Sequence, residues 1–316
     1  MRADYSAGWP DYETRLQSAE LSPRPRRYIR WDGASPAGLT LLVYGEQGLG
    51  DEIMFASCLP ELIRAGARCV IECNPALQRL FARSFGGAVV YPAARDKSVP
   101  DHIHALGIDA EIAIGSLPLL YRRSAADFPA HRGYLRADER RLTAWRERLA
   151  GLGDGLKIGI SWRGGTHASR APLRSIALEQ WLPILRLRGA RFVSLQYTAD
   201  AQHDIDALRE RHGIEITHWP EAIADYDETA ALVSVLDLTM SVCTSVVHLA
   251  GALGHPVWVL APKHPEWRYG CAGETMPWYP SAHVLRQQRA GEWADVIAAA
   301  ESRLREHIRT VSDAAA

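Results

Sequence analysis

The chain has 316 residues, more than one small core requires and enough for two domains of roughly 150 residues each. Its 36 basic and 37 acidic side chains leave a formal charge of -1, so no global field gathers nucleic acid or anionic membrane, and any bound anion must be held locally. No apolar run approaches the roughly 20 residues of a bilayer span, and Met1-Arg2-Ala3-Asp4-Tyr5 lacks the basic and then apolar pattern of a secretory signal, so a soluble cytoplasmic protein with no membrane span is expected.

Taken in chain order, residues 9–21 carry an amphipathic helical pattern and Ser22-Pro23-Arg24-Pro25 breaks it, so residues 1–30 read as an appendage. An apolar, β-rich run at 39–44 meets a glycine loop at 45–50, and a helical pattern follows at 51–65. Strand patterns recur at 68–72, 88–91 and 110–114, with a helix at 75–85. Alternation of this kind implies a parallel sheet covered by helices. A charged helix at 138–149 leads into Gly151-Leu152-Gly153-Asp154-Gly155, which marks the expected hinge and the boundary between domains 31–153 and 154–316. Beyond it the alternation restarts, with strands at 157–162, 192–196, 214–217, 237–241 and 256–260. The helices of this half are expected at 178–187, 201–212, 228–235, 244–253 and about 291–309. The expected architecture is therefore α/β, with two doubly wound domains facing a cleft at the carboxyl ends of both sheets, where such folds bind ligands.

Three segments carry candidate chemistry. The first is the loop Gly45-Glu46-Gln47-Gly48-Leu49-Gly50-Asp51, whose glycines let backbone approach a ligand. Glu72, at the end of the next strand, lies near the spacing of a ribose-binding acid and so leaves a dinucleotide site open as one reading. Against NAD, Asp51 and Glu52 in the first helical turn would repel a pyrophosphate. An acid there is suited either to take a proton from an incoming hydroxyl or simply to cap the helix. The second segment is Ser241-Val242-Cys243-Thr244-Ser245-Val246-Val247-His248, a strand end running into a helix with hydroxyls and no acid at its first turn. Phosphate oxygens fit such an N-terminus, with His248 one turn later as a further donor; a plain cap and a core histidine are the competing readings. The third is Arg163-Gly164-Gly165-Thr166-His167-Ala168-Ser169-Arg170, continuing to Arg174 and Ser175. Its arginines would neutralise a leaving diphosphate without a metal, unless the loop is merely solvated. His102 and His104 are too little for a zinc site, and no paired-carboxylate motif lies between apolar runs, so no metal cofactor is expected. The aromatics of Pro265-Glu266-Trp267-Arg268-Tyr269 and Met276-Pro277-Trp278-Tyr279-Pro280 either stack on a ligand or cover a seam. Five scattered cysteines read as reduced, mostly buried thiols.

Together, Gly45 to Glu52, Arg174-Ser175-Ile176, Phe192-Val193-Ser194-Leu195-Gln196, Asp227-Glu228-Thr229-Ala230-Ala231-Leu232, Ser241 to Gly254 and Pro277-Trp278-Tyr279-Pro280 resemble a family. It is that of the glycosyltransferases that follow tetratricopeptide repeats in bacterial proteins, distant relatives of the ADP-heptose:lipopolysaccharide heptosyltransferases of glycosyltransferase family 9. The opening Tyr5 to Glu13 looks like the end of a last repeat helix, which would make the chain a short form or fragment. The resemblance implies a GT-B fold, an acceptor domain at 31–153 and a nucleotide-sugar domain at 154–316 whose last helix returns toward the first. It implies Asp51 as the base, with Glu46, Gln47, Gly48 and Gly50 beside acceptor or donor. The donor side comprises Arg163, Arg170, Arg174, Gln196, Cys243, Thr244, Ser245 and His248. Cys243 stands where the relatives have aspartate, a departure that bears on donor geometry. The expected reaction is an inverting single displacement from a nucleotide-sugar to a protein or saccharide hydroxyl. The alternatives are a non-catalytic nucleotide-sugar-binding or scaffolding module and, more remotely, an NAD-dependent dehydrogenase.

Overall fold

The computed structural model describes residues 4–17, 27–165 and 170–315. The chain divides into two compact units, Met1–Arg136 and Ala137–Ala316. The division lies before helix Glu139–Ala150, whereas the glycine-rich run placed the boundary after it. Packing is the reason. That helix buries Leu142, Trp145 and Leu149 within the second unit, where the Trp145 indole donates to Glu228 at 2.8 Å and Arg141 pairs with both Glu228 and Asp225. The glycines at 151–155 make only the turn into strand Leu156–Ser161.

The first unit holds a five-stranded parallel sheet in the order Ile29–Arg30, Ala110–Ala113, Thr40–Tyr44, Arg68–Cys73, Val89–Pro92. Thr40–Tyr44, rich in β-branched, apolar and aromatic side chains, lies at the centre, where Val43 pairs with Ile71 on one side and Ile112 on the other. The strand order reverses across it, so its carboxyl end is the topological switch point of this unit. The helical pattern expected at 51–65 is interrupted: helix Leu49–Phe55 gives way to a 3-10 turn, Ala56–Cys58, and restarts as Leu59–Arg64. Pro60 explains the break, because it lacks an N–H and is tolerated only in the first turn of a new helix.

The N-terminal pattern also differs from the single helix expected at 9–21. Helix Tyr5–Tyr12 passes into a 3-10 turn, Glu13–Gln17; the breaker run Ser22-Pro23-Arg24-Pro25 lies outside the described residues. Trp9 is 1% exposed and its indole donates to the Arg122 carbonyl at 2.6 Å. The segment is thus built into the first unit.

The second unit holds a seven-stranded sheet in the order Thr275–Met276, Tyr279–Arg286, Val257–Ala261, Leu238–Val242, Leu156–Ser161, Ala190–Ser194, Ile216–Thr217. All pairs are parallel except the one made by Thr275–Met276. The order reverses across Leu156–Ser161, a second switch point. Ile158, Ile160, Trp162, Trp181 and Met240 form the buried centre of the core. The strand Tyr279–Arg286 has no expected counterpart in the sequence, because Pro280 argues against a strand. The proline is accommodated at the strand's start, before parallel pairing begins at Ala282 opposite Val257. The tail aromatics pack this unit: Tyr269, Trp278 and Tyr279 are buried, and Trp267 meets Trp278 edge-on at 6.3 Å. The last helix spans Ala294–Ala315. Four cysteines are buried and Cys271 is exposed, all as free thiols. Among the described residues no helix is long and apolar enough to cross a membrane.

Candidate functional site

In the first unit the glycine loop leaves the carboxyl end of Thr40–Tyr44, at the switch point. Gly48 is the N-cap of helix Leu49–Phe55, which removes the simple cap role from Asp51; that residue lies half-buried in the first turn beside Gly50. Its two acidic neighbours are taken up by the fold. Glu46 accepts from Arg15 at 2.8 and 3.0 Å, and Arg15 also donates to Ser116 and Glu13. Gln47 exchanges hydrogen bonds with the Tyr12 hydroxyl at 2.7 and 2.9 Å. The N-terminal segment therefore holds the loop from one side.

Glu52 lies beneath the loop, 5% exposed, and accepts from the Asn74 N–H at 2.7 Å. A Cβ at Gly45 would come within 2.5 Å of its carboxyl, so the absence of one lets the carboxyl lie against the loop. Burial, only partly offset by the Asn74 N–H, pushes the Glu52 carboxyl up to about 8, with Glu46, Glu72 and Asp51 adding to the shift. Burial likewise raises Glu46, against the pull of Arg15. Glu72 is 1% exposed and accepts from the Tyr91 hydroxyl at 2.6 Å, a structural bond that closes the ribose-binding role.

In the second unit, the loop after Leu156–Ser161 meets the helix Ser245–Ala252 at the switch point. Thr244 is the N-cap, accepting from the Val246 N–H at 3.2 Å and lying 3.1 Å from the Ser241 hydroxyl. No acid occupies the first turn, and Ser245 is half-buried where Thr244 is buried. Arg174 donates to the Cys243 carbonyl at 3.1 Å and to Glu266 at 2.9 Å, bringing the third segment onto the second. Thr166, His167, Ala168 and Ser169 lie outside the described residues; Arg170 is exposed with φ 58.

Three expected donor contacts have other occupations. Gln196 is fully buried and clamps the loop, accepting from the Trp162 and Arg163 N–H groups at 3.0 and 2.9 Å and donating to the Arg163 carbonyl at 2.9 Å. The Arg163 guanidinium pairs with Asp200 at 2.8 Å and with Asp204. His248 is 2% exposed between the Tyr279 hydroxyl at 3.0 Å and the Tyr269 hydroxyl at 3.4 Å. Burial, with Arg268 and Arg174 nearby, holds its basicity well below the ordinary histidine range, so the ring is neutral at pH 7 and belongs to the core. Cys243 is fully buried, and burial keeps its thiol protonated. Glu266 is the site residue that the sequence did not single out beyond its aromatic run; its position beside Arg174 arises across 92 positions of the chain.

The contact between the two loops depends on Gly164. A Cβ there would lie 2.3 Å from Thr244 Cγ2 and 3.3 Å from the Cys243 carbonyl oxygen, and neither neighbour is the end of a long flexible side chain. Gly164→Ala is expected to weaken binding of a nucleotide by roughly tenfold or more while the circular-dichroism spectrum stays native, since overpacking of about 1–3 kcal/mol distorts the site without unfolding the unit. Isothermal titration of wild type and variant checks this. Unchanged affinity would mean that this contact plays no part in binding.

Among the described residues no group of three or more His, Cys, Asp or Glu side chains is arranged to hold a metal ion. No protein-family model matches the chain. It is 33% identical over 317 residues to Protein FlbA of Caulobacter vibrioides, a match covering 95% of this chain and 52% of the relative, so the chain spans about half of that protein. Among solved structures it resembles the glycosyl transferase family 9 protein of Veillonella parvula, with 12% identity, TM-score 0.61, and coverage of 87% of this chain and 97% of that one. ADP-heptose lps heptosyltransferase II of E. coli is similar at 15% identity and TM-score 0.60, over 86% and 98% of the two chains. E. coli heptosyltransferase WaaC with ADP follows at 13% identity and TM-score 0.53, over 85% and 100%. These likenesses establish the fold, GT-B, with two Rossmann-like units.

Proposed function

From the fold shared with family 9 glycosyltransferases, we propose that this chain is an inverting, metal-independent glycosyltransferase that moves a sugar from a nucleotide-sugar to a hydroxyl of a protein or saccharide acceptor. The observation that carries the reading is the acid-free helix N-terminus at Thr244 and Ser245, set beside Arg174 at the switch point of the second unit. The positive end of a helix with no acid in its first turn, together with a guanidinium, suits a diphosphate and stabilises the charge that a leaving nucleotide develops without a divalent ion. The donor is assigned to the second unit and the acceptor to the first.

In this reading Asp51 takes the proton of the acceptor hydroxyl as its oxygen attacks the anomeric carbon. The bond from that carbon to the phosphate oxygen breaks, the nucleotide leaves with the bonding pair, and the configuration inverts. Glu46 and Glu52 are poor candidates for the base because one is paired with Arg15 and the other is buried and held protonated. Two of the similar solved structures carry ADP or an ADP-sugar, which makes the adenosine diphosphate family the first donor class to try.

A thermal-shift series with ADP, GDP, UDP, CMP and NAD, without added metal, tests the proposal. One nucleoside phosphate is expected to raise the midpoint by ~5–10 °C at about 100 times its dissociation constant. Stabilisation by NAD alone, or by none of the five, would overturn it. A second reading, a nucleotide-sugar-binding module without turnover, is favoured by the occupied Arg163 and the buried Cys243 thiol. Binding with no transfer to any acceptor would select it.

A further inference from the structure

The charge balance around Arg174 carries the inference. The strand Val257–Ala261 is followed by a loop that ends at Glu266, the residue before the 3-10 turn Trp267–Tyr269. That turn is anchored in the core. Tyr269 is 1% exposed, its N–H donates to the Glu266 carbonyl at 3.0 Å, and its hydroxyl faces the ring of His248. Glu266 is therefore set in place by groups beneath the site. One of its carboxylate oxygens accepts from Arg174 Nη1 at 2.9 Å, and the other is buried with no hydrogen-bond partner among the described residues. The same Nη1 reaches the Cys243 carbonyl, on the residue that precedes the helix N-cap. The buried Cys243 thiol lies within electrostatic reach of Glu266, Arg174 and Arg268.

We infer that Glu266 is a positioning residue for the donor: it fixes the Arg174 guanidinium against the turn before helix Ser245–Ala252, where that cation meets the diphosphate of a nucleotide-sugar. The inference rests on the donor assignment proposed above. A mostly buried arginine held by a short ion pair to Glu266 and a bond to the Cys243 carbonyl is oriented before the ligand arrives. Glu266 does not touch the phosphates; like charge would repel it from them. Its contribution is geometric. Removing its charge takes away the ion pair that fixes the Arg174 guanidinium beside the Cys243 carbonyl.

The geometry also makes a compensating change available. A carboxylate at position 243 would lie within electrostatic reach of Arg174 and Arg268, so moving the negative charge from Glu266 to position 243 should restore the hold on Arg174. The experiment measures dissociation constants of ADP and AMP, and of the GDP and UDP pairs, by isothermal titration. The wild-type chain is compared with Glu266→Gln and with the double variant Glu266→Gln, Cys243→Asp. For the base that wild type prefers, Glu266→Gln should weaken the diphosphate roughly tenfold and the monophosphate much less, because a misplaced arginine loses most where there is most charge to hold. The double variant should recover the diphosphate preference to within about threefold of wild type. A general loosening of the fold would weaken both nucleotides alike and would not be rescued; that pattern overturns the inference. Unchanged or tighter diphosphate binding in Glu266→Gln overturns it too, and shows Glu266 to be a competitor for Arg174. If wild type itself binds none of these nucleotides, the donor assignment falls and the inference falls with it, whereas wild-type binding with unaltered variants sinks the inference alone.

Discussion

Asp51→Asn is expected to lower turnover by ~10²- to 10⁴-fold while leaving nucleotide affinity within about twofold of wild type. The amide has the shape of the carboxylate but cannot take a proton from a hydroxyl, and the residues proposed to hold the donor belong to a different unit of the fold. Folding should survive. The N-cap residue is Gly48, which the substitution leaves in place, and the loss of a favourable charge in the first turn costs about 0.3–1 kcal/mol. Release of nucleoside phosphate from a saturating donor gives the turnover, and titration gives the affinity. Equal turnover in the variant would remove Asp51 from the mechanism; loss of binding together with turnover would mean that the carboxylate acts on donor placement instead.

The second large effect is on stability and follows from Glu52. Its carboxyl sits 5% exposed under Gly45 and is pushed up to about 8 from an ordinary value of 4.5, chiefly by burial. The folded state therefore holds a proton that the unfolded chain releases. The stability linked to this group is fully present below pH 4.5 and is lost progressively as the pH rises through about 8, where the buried carboxylate must ionise. At ~1.4 kcal/mol per pH unit of displacement, the loss amounts to roughly 3–5 kcal/mol by pH 9. Glu52→Gln mimics the protonated acid and keeps an acceptor for the Asn74 N–H, so it should flatten this dependence. Urea unfolding between pH 5 and pH 9 is the measurement. The variant should match wild type at the acid end and exceed it at the alkaline end by a few kcal/mol. Parallel curves would show that Glu52 is ionised in the folded protein.

The two predictions concern adjacent residues in the sequence, and only folding separates their roles. A reader of Asp51-Glu52 sees two acids in a first helical turn. The turn of the helix sends Glu52 under the loop, against Asn74 from the end of the neighbouring strand, and leaves Asp51 half-buried. The same holds for the arginines. Arg163 and Arg174 stand in one segment, yet one pairs with Asp200 and Asp204 and the other with Glu266.

What the sequence determined by itself was the local architecture: apolar β-rich runs at 39–44 and 157–162, glycines after the first of them, and a Thr-Ser helix start after the run at 237–241. These follow from propensity and periodicity, which act between near neighbours and so are legible in order along the chain. A strand containing Pro280 was hidden because its pairing rescues what its composition argues against. Tertiary structure decided where the first unit ends, that the N-terminal segment holds Glu46 and Gln47, and which polar groups are already occupied. Arg15 meets Glu46 across 31 positions, His248 meets Tyr279 across 31, and Arg174 meets Glu266 across 92. Hydrogen bonds and ion pairs of this kind are set by packing in space, and a buried polar group takes whichever partner the fold brings to it.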